Sequence, residues 1–166
     1  MKTLLTIALL AIPALALTAS KDPDTKFYTT LAQGGLDEVE LGNLAAQKGS
    51  DPKVRQFATM MVKDHTAANA QLKALAASKN VTLPDHVSVS QEASKTKLDV
   101  LSGSSFDESY IKNQVSAHKD TVSLLNKEIA AGKDPDAKAF AQKILPTVNA
   151  HLQAIERIAA YVGMAH

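Results

Sequence analysis

Apolar residues recur at steps of three and four positions along nearly the whole chain after about residue 24, which is the spacing of one face of an α-helix. No stretch of useful length shows the alternation expected of a β-strand. Clusters of Gly, Pro, Asp and Ser divide the helical pattern into four long segments and one short segment. The predicted long helices cover about 24–48, 52–79, 105–132 and 135–161, and a short helix lies within 90–103.

The predicted helix ends carry recognisable capping residues. Asp-Pro pairs stand at 51–52 and at 134–135, where Asp suits the N-cap and Pro suits the first helical turn. Gly49 and Gly132 suit the ends of the preceding helices. Ser105 and Glu108 form the sequence pattern of a capping box and predict the start of the third long helix.

The lengths of the connections predict how the helices are joined. The first and last connections are short, so the helices that they join must be antiparallel. The middle connection has about 25 residues including the short helix, which is enough to run the length of a bundle. We therefore predict an all-α, ferritin-like four-helix bundle, with a short extra helix in the connection between the second and third long helices. A plain up-down bundle with a decorated loop is the alternative topology.

Residues 1–19 are predicted to be a signal peptide that precedes the bundle domain of residues 24–162. Lys2 is followed by an apolar stretch and by small residues that suit cleavage after Ala16 or Ala19. A retained anchor is the alternative, although the apolar stretch is short for a membrane span of about 20 residues. Export to the periplasm or cell envelope follows. With no cysteine, the chain has neither a disulfide framework nor a thiolate metal site.

The charge balance disfavours nucleic acid as a partner. The chain has 18 basic and 17 acidic residues, and loss of Lys2 with the signal peptide leaves the two equal. Phosphate binding normally needs a basic excess. The chain has no tryptophan and few other aromatic residues, which disfavours stacking platforms for bases. An envelope protein partner or a peripheral association with the outer membrane is compatible with this composition.

Three histidines interrupt the apolar stripes of three different helices. His65, His118 and His151 each replace an apolar residue on the predicted buried face. Each also lies within about three residues of the midpoint of its helix, or roughly 4.5 Å of axial rise. Because helices of similar length share a midpoint level in a bundle, the three imidazoles are predicted to meet. His86 and His166 lie outside the helices and receive no role.

The first helix contributes carboxylates at the same level. Glu38 lies on its apolar stripe and is favoured as the inward carboxylate, whereas Glu40 lies on a flanking stripe. Gly34, Gly35 and Gly42 each cost about 1 kcal/mol relative to alanine inside a helix. They are better understood if another helix or side chain packs closely there.

This grouping of polar residues supports two interpretations. Neutral imidazoles and a carboxylate from the set Glu38, Glu40, His65, His118 and His151 suit a transition-metal ion such as zinc, iron, copper or nickel. The alternative is a closed network of Glu–His and His–His hydrogen bonds that only fixes the packing. Asp64, next to His65 and about 100° round the helix, is expected on the surface.

Several segments resemble the domain of unknown function 4142 family. They are AQGGLDEVELGNLAAQKGSDPKVRQFATMMVKDHTAANAQLKALA, FDESYIKNQVSAHKD and LPTVNAHLQAIE, and the likeness extends over about residues 26–162. Its specific parts are the Glu-x-Glu at 38–40, the Asp-His at 64–65, the lone His118, and the Leu-Pro and His-Leu pairs at 145–146 and 151–152. The resemblance implies an exported ferritin-like helical bundle, often described as an outer-membrane protein, and implies no established activity.

The sequence departs from the di-iron pattern of ferritin-like proteins. That pattern needs a Glu three residues before a site histidine, but Val62, Val115 and Val148 stand there. The missing carboxylates therefore disfavour a di-iron ferroxidase or oxygenase, and at most a single-ion, histidine-rich site remains. We expect metal handling or envelope stress protection rather than turnover of an organic substrate. A structural or interaction module without metal is the second hypothesis. The third is a redox or hydrolytic metalloenzyme, which needs an open coordination position and an access path.

Overall fold

The predicted helices are present in the computed structural model, which describes residues 23–163. The predicted signal peptide lies outside the described residues. The all-α class is confirmed, and the described part of the chain contains no strand. The five helices are α1 Pro23–Lys48, α2 Pro52–Ser78, α3 Val89–Asp99, α4 Gly103–Ala131 and α5 Pro135–Tyr161.

The capping residues explain most of these boundaries. The side chains of Asp51 and Asp134 accept hydrogen bonds from backbone N–H groups in the first turns of α2 and α5, as the Asp-Pro pairs predict. The capping box predicted at Ser105 is wrong, because α4 already begins at Gly103. Gly103 has φ +59°, a left-handed conformation that glycine adopts easily and that turns the chain into the helix two residues earlier. The capping box occurs instead at Ser88, at the start of α3.

Hydrogen bonds at the two ends of the bundle establish the topology. Asp107, near the start of α4, accepts from the backbone N–H groups of Ser50 and Asp51 in the α1–α2 turn, at 2.9 and 2.7 Å. Asp24, at the start of α1, accepts from the backbone N–H groups in the α4–α5 turn. Lys79, at the end of α2, is paired with Asp134 in that same turn. The chain between α2 and α4 therefore runs the length of the bundle, as the ferritin-like crossover requires.

Each tight turn is thus held by a buried aspartate from the other helical hairpin. Replacing Asp107 by alanine leaves two backbone N–H groups without their charged acceptor. We expect the free energy of unfolding to fall by about 2–3 kcal/mol, measured by urea denaturation. Glu108→Ala, an exposed neighbour on the same turn of α4, is the matched control and should change it by less than about 0.5 kcal/mol. Equal effects of the two substitutions would contradict this role of Asp107.

The core of the bundle has two apolar halves with a polar layer between them. One half lies around Met61, Phe106 and Ile155, and the other lies around Tyr28, Leu72 and Phe140. In each long helix the polar residues of the waist come between residues of the two halves. This layer consists of the buried Glu38, Gln114, His118 and His151 and the partly buried His65.

None of the described helices is both long enough and apolar enough to cross a membrane.

Candidate metal centre

The waist of the bundle brings His65 of α2, His118 of α4 and His151 of α5 together. The centroids of their rings lie 5.6–5.9 Å apart. One nitrogen from each ring lies within 4.8 Å of the corresponding nitrogens of the other two. The three positions were predicted to share one level because each lies near a helix midpoint, and the structure places them there.

His118 is held by its own helix. Its Nδ1 lies 2.9 Å from the backbone carbonyl oxygen of Gln114, one turn earlier. A carbonyl oxygen only accepts, so the proton lies on Nδ1 and the lone pair lies on Nε2. That Nε2 is buried and has no hydrogen-bond partner among the described residues. The ring therefore has a lone pair on Nε2 that no described residue engages.

His151 is held by a residue that the sequence analysis placed on the surface. Its Nε2 lies 3.0 Å from Oδ2 of Asp64. Because the carboxylate accepts the Nε2 proton, the lone pair of His151 lies on Nδ1, which is buried and has no partner in the described part of the chain. About 33% of the Asp64 side chain is exposed, as expected for a surface residue, but it also reaches His151 because α2 packs against α5.

His65 supplies the third ring of the cluster. Nε2 of His65 is also buried, and no residue within 23–163 provides it with a hydrogen bond. Burial lowers the pKa of His65 to about 3 and that of His118 to about 4, and it lowers the pKa of His151 as well. Mutual repulsion between the rings adds to the shift at His65. All three imidazoles are therefore neutral near pH 7, which is the form that binds metals.

The two predicted carboxylates have different positions. Glu38 is buried, its Oε2 accepts a 2.7 Å hydrogen bond from Nε2 of Gln114, and its Oε1 lies 3.8 Å from Nδ1 of His118. It stands behind His118, on the side of the bonded nitrogen rather than the free one. Burial raises the pKa of Glu38 to about 8. Glu40 is not part of the cluster, because its carboxylate pairs with Lys95 of α3 at 2.7 Å.

The spacing of the ring nitrogens in this cluster, up to 4.8 Å, is slightly wider than an ion requires. Metal–nitrogen bonds of about 2.0–2.1 Å place the nitrogens of a three-histidine site about 3.5 Å apart. The present limit of 4.8 Å therefore needs an inward movement of roughly 1 Å, which small side-chain rotations supply. The donor set fits one transition-metal ion.

Gln114 was not identified from the sequence. Gln114 is fully buried. Its backbone carbonyl oxygen is bonded to Nδ1 of His118, and its side-chain amide donates a hydrogen bond to Glu38. A signal was present, since Tyr110, Gln114 and His118 follow one another at steps of four on the same face of α4. A buried polar residue one turn before a site histidine indicates support for its ring.

Known structures with the same fold include two helical proteins of similar size. One is the DUF305 fragment from Deinococcus radiodurans, with a TM-score of 0.73 and 14% identity, over 83% of this chain and 95% of that one. The other is CopM in the Cu(I)-bound form, with a TM-score of 0.70 and 14% identity, over 84% and 97% of the two chains. At this identity the similarity shows the fold alone. No curated protein matches the chain significantly.

The sequence also matches a family model. The match covers residues 11–158, which includes all four long helices down to the last turn of α5 and every residue of the waist. The chain belongs to the DUF4142 family, a domain of unknown function.

Proposed function

We propose that the protein binds a single transition-metal ion through Nε2 of His65, Nε2 of His118 and Nδ1 of His151. The observations that carry the proposal are that these three buried nitrogens have no hydrogen-bond partner among the described residues, and that the three rings bring one nitrogen each within 4.8 Å of one another. In His118 and His151 one ring nitrogen donates its proton to Gln114 or Asp64, so the lone pair lies on the other nitrogen, which is the proposed ligand atom. This is the usual arrangement around a metal-binding histidine.

The alternative of a purely structural network explains these atoms less well. Such a network requires Glu–His or His–His hydrogen bonds at the three nitrogens that are proposed here as ligand atoms. Glu38 is bonded to Gln114, and its contact with His118 is at Nδ1, which is not the proposed ligand atom. A buried polar atom without a partner costs about 1–3 kcal/mol. Three such nitrogens in one cluster favour a function in which a bound metal ion is their common partner.

Among zinc, iron and copper, we propose copper in its singly charged state. The three ligands are neutral, so the bound ion keeps its full charge in a buried site, and a single charge is less costly to bury than a double one. Imidazole suits copper, whereas iron sites in this fold use bridging carboxylates that are missing here. The copper-bound state of CopM, which shares the fold, supports the proposal.

The cellular role that we propose is metal handling or protection against metal stress in the cell envelope. It rests on the predicted signal peptide at residues 1–19, which directs export to the periplasm or envelope. No organic substrate is required for this role. Any partner is expected to be an envelope protein or the periphery of the outer membrane.

Elemental analysis of protein purified from the native compartment tests the proposal. We expect about one metal ion per chain in the wild type, loss of that metal in His65→Ala, and retention in His86→Ala. His86 is the matched control because it is an exposed loop histidine. A wild type without stoichiometric metal, or a His65→Ala variant that keeps its metal, would overturn the proposal.

Asp64 should contribute to affinity without binding the ion. We expect Asp64→Asn to weaken metal binding by about 10- to 100-fold, because the carboxylate orients His151 and makes it a stronger ligand. Competition with a chromophoric chelator measures the dissociation constant. Glu108→Gln removes one negative charge at an exposed position near the start of α4 and controls for net charge. If both variants bind as tightly as the wild type, the role of Asp64 is wrong.

A further inference from the structure

A cavity of about 920 Å³ extends from the surface of the bundle to the histidines. Its outer part includes exposed residues of the α2–α3 connection, α3 and α4, namely Thr82, Ser90 and Asp120. Its inner part includes His65 and His151. The cavity therefore extends from the surface to the residues of two of the three proposed ligands.

Gly34 borders this cavity and has no packing role that explains it. A Cβ atom at Gly35 would collide with Asn69, and one at Gly42 would lie 2.8 Å from Cγ2 of Val62, so close packing of α1 on α2 requires both glycines. A Cβ atom at Gly34 would have nothing within 4 Å. Because glycine weakens a helix, its presence here indicates that open space beside the site has a use.

The cavity is much larger than an ion alone needs. Pockets for small organic ligands are typically about 300–1,000 Å³. Apolar side chains line much of the wall, among them Leu31, Leu72, Phe140 and Ile144. The carboxyl groups of Asp37, Asp64 and Asp120 also line it, so an anionic ligand is disfavoured.

We propose that the metal centre has an open coordination position facing this cavity, where a small, mostly apolar, neutral nitrogen-donor molecule binds the ion. The inference rests on the proposed metal binding and extends it to a second, organic ligand. The histidines supply three nitrogens, and the donor atom of the organic molecule supplies the fourth. The rest of that molecule lies along the apolar wall beside Gly34.

The probe for the experiment is 4-phenylimidazole, which combines a nitrogen donor with an apolar ring. It is titrated under reducing conditions into full-length Cu(I)-loaded protein, and isothermal titration calorimetry reports its binding, with the metal-free protein as the blank. The test variant is Gly34→Leu, which fills the open space with a helix-favouring side chain. The control is Ala67→Leu, an exposed position on α2 outside the cavity lining. Circular dichroism verifies that both variants are folded.

We expect saturable binding of one equivalent of probe in the wild type and in Ala67→Leu, and no binding in the metal-free protein. In Gly34→Leu the affinity should fall at least tenfold while Cu(I) still loads. The inference is overturned if Cu(I) loads but the probe does not bind, or if Gly34→Leu binds the probe as well as the wild type. Failure of Cu(I) to load would instead contradict the proposed function and this inference with it, so the two failures are distinguishable.

Discussion

Cu(I) at about 1,000 times its dissociation constant should raise the free energy of unfolding of the wild type by about 4 kcal/mol. The ion binds the folded cluster, and the unfolded chain offers no preformed site. For a chain of this size, that corresponds to an increase of roughly 10 °C in the midpoint of thermal unfolding. Differential scanning calorimetry under reducing conditions measures it.

The histidine variants show whether the stabilisation comes from the waist of the bundle. His118→Ala removes one of the three ligands and should abolish the increase, whatever its effect on the stability of the metal-free protein. His86→Ala should show the full increase, because His86 lies in an exposed loop. A similar increase in His118→Ala would show that the ion binds elsewhere.

Acid should remove the stability that the three neutral histidines contribute to the metal-free protein. Burial keeps the folded-state pKa values of His65 at about 3 and His118 at about 4, below the ordinary value of 6.5, and that of His151 is also lowered. As the pH falls below 6.5, the unfolded chain takes up protons that the folded cluster does not, so the folded state loses stability. This contribution is fully present above pH 6.5 and is lost progressively toward pH 4.

Two carboxyl groups oppose this trend. Burial raises the pKa of Glu38 to about 8 and that of Asp37 to about 6. Between pH 5 and 6.5 these groups hold protons in the folded state that the unfolded chain releases, so they favour folding as the pH falls. Between pH 6.5 and pH 5 the shifts of His65 and His118 remove about 3 kcal/mol of stability, and those of Glu38 and Asp37 restore a similar amount, so the net change in the wild type is small.

Urea denaturation of metal-free protein across this pH range measures the effect. The variant Glu38→Gln removes the larger opposing contribution, so we expect it to lose about 2 kcal/mol of stability between pH 6.5 and pH 5. A Glu38→Gln variant whose stability stays constant over this range would contradict the presence of a cluster of buried neutral histidines.

The helices and their order were predictable from the sequence because local signals specify them. The Asp-Pro pairs at 51–52 and 134–135 place two helix starts directly, and the apolar periodicity defines the buried faces. The start of α4 was not predictable in the same way. The left-handed conformation of Gly103 competes with the capping pattern at Ser105, and only the tertiary structure decides between them.

The histidine cluster was predictable because three midpoints on three apolar faces must meet in a bundle. The supporting residues were not, because their roles depend on contacts between helices. Whether Asp64 reaches His151 depends on how α2 and α5 are rotated, which periodicity within one helix does not specify. The same holds for Glu40, whose partner Lys95 lies on the crossover helix α3.

The most direct test of the metal centre is anomalous diffraction from a crystal of the copper-loaded protein. We predict one anomalous peak within about 2.0–2.2 Å of Nε2 of His65, Nε2 of His118 and Nδ1 of His151. This assignment of nitrogens follows from the hydrogen bonds to Gln114 and Asp64. A peak elsewhere on the protein, or no peak between the three rings, would contradict the proposed centre.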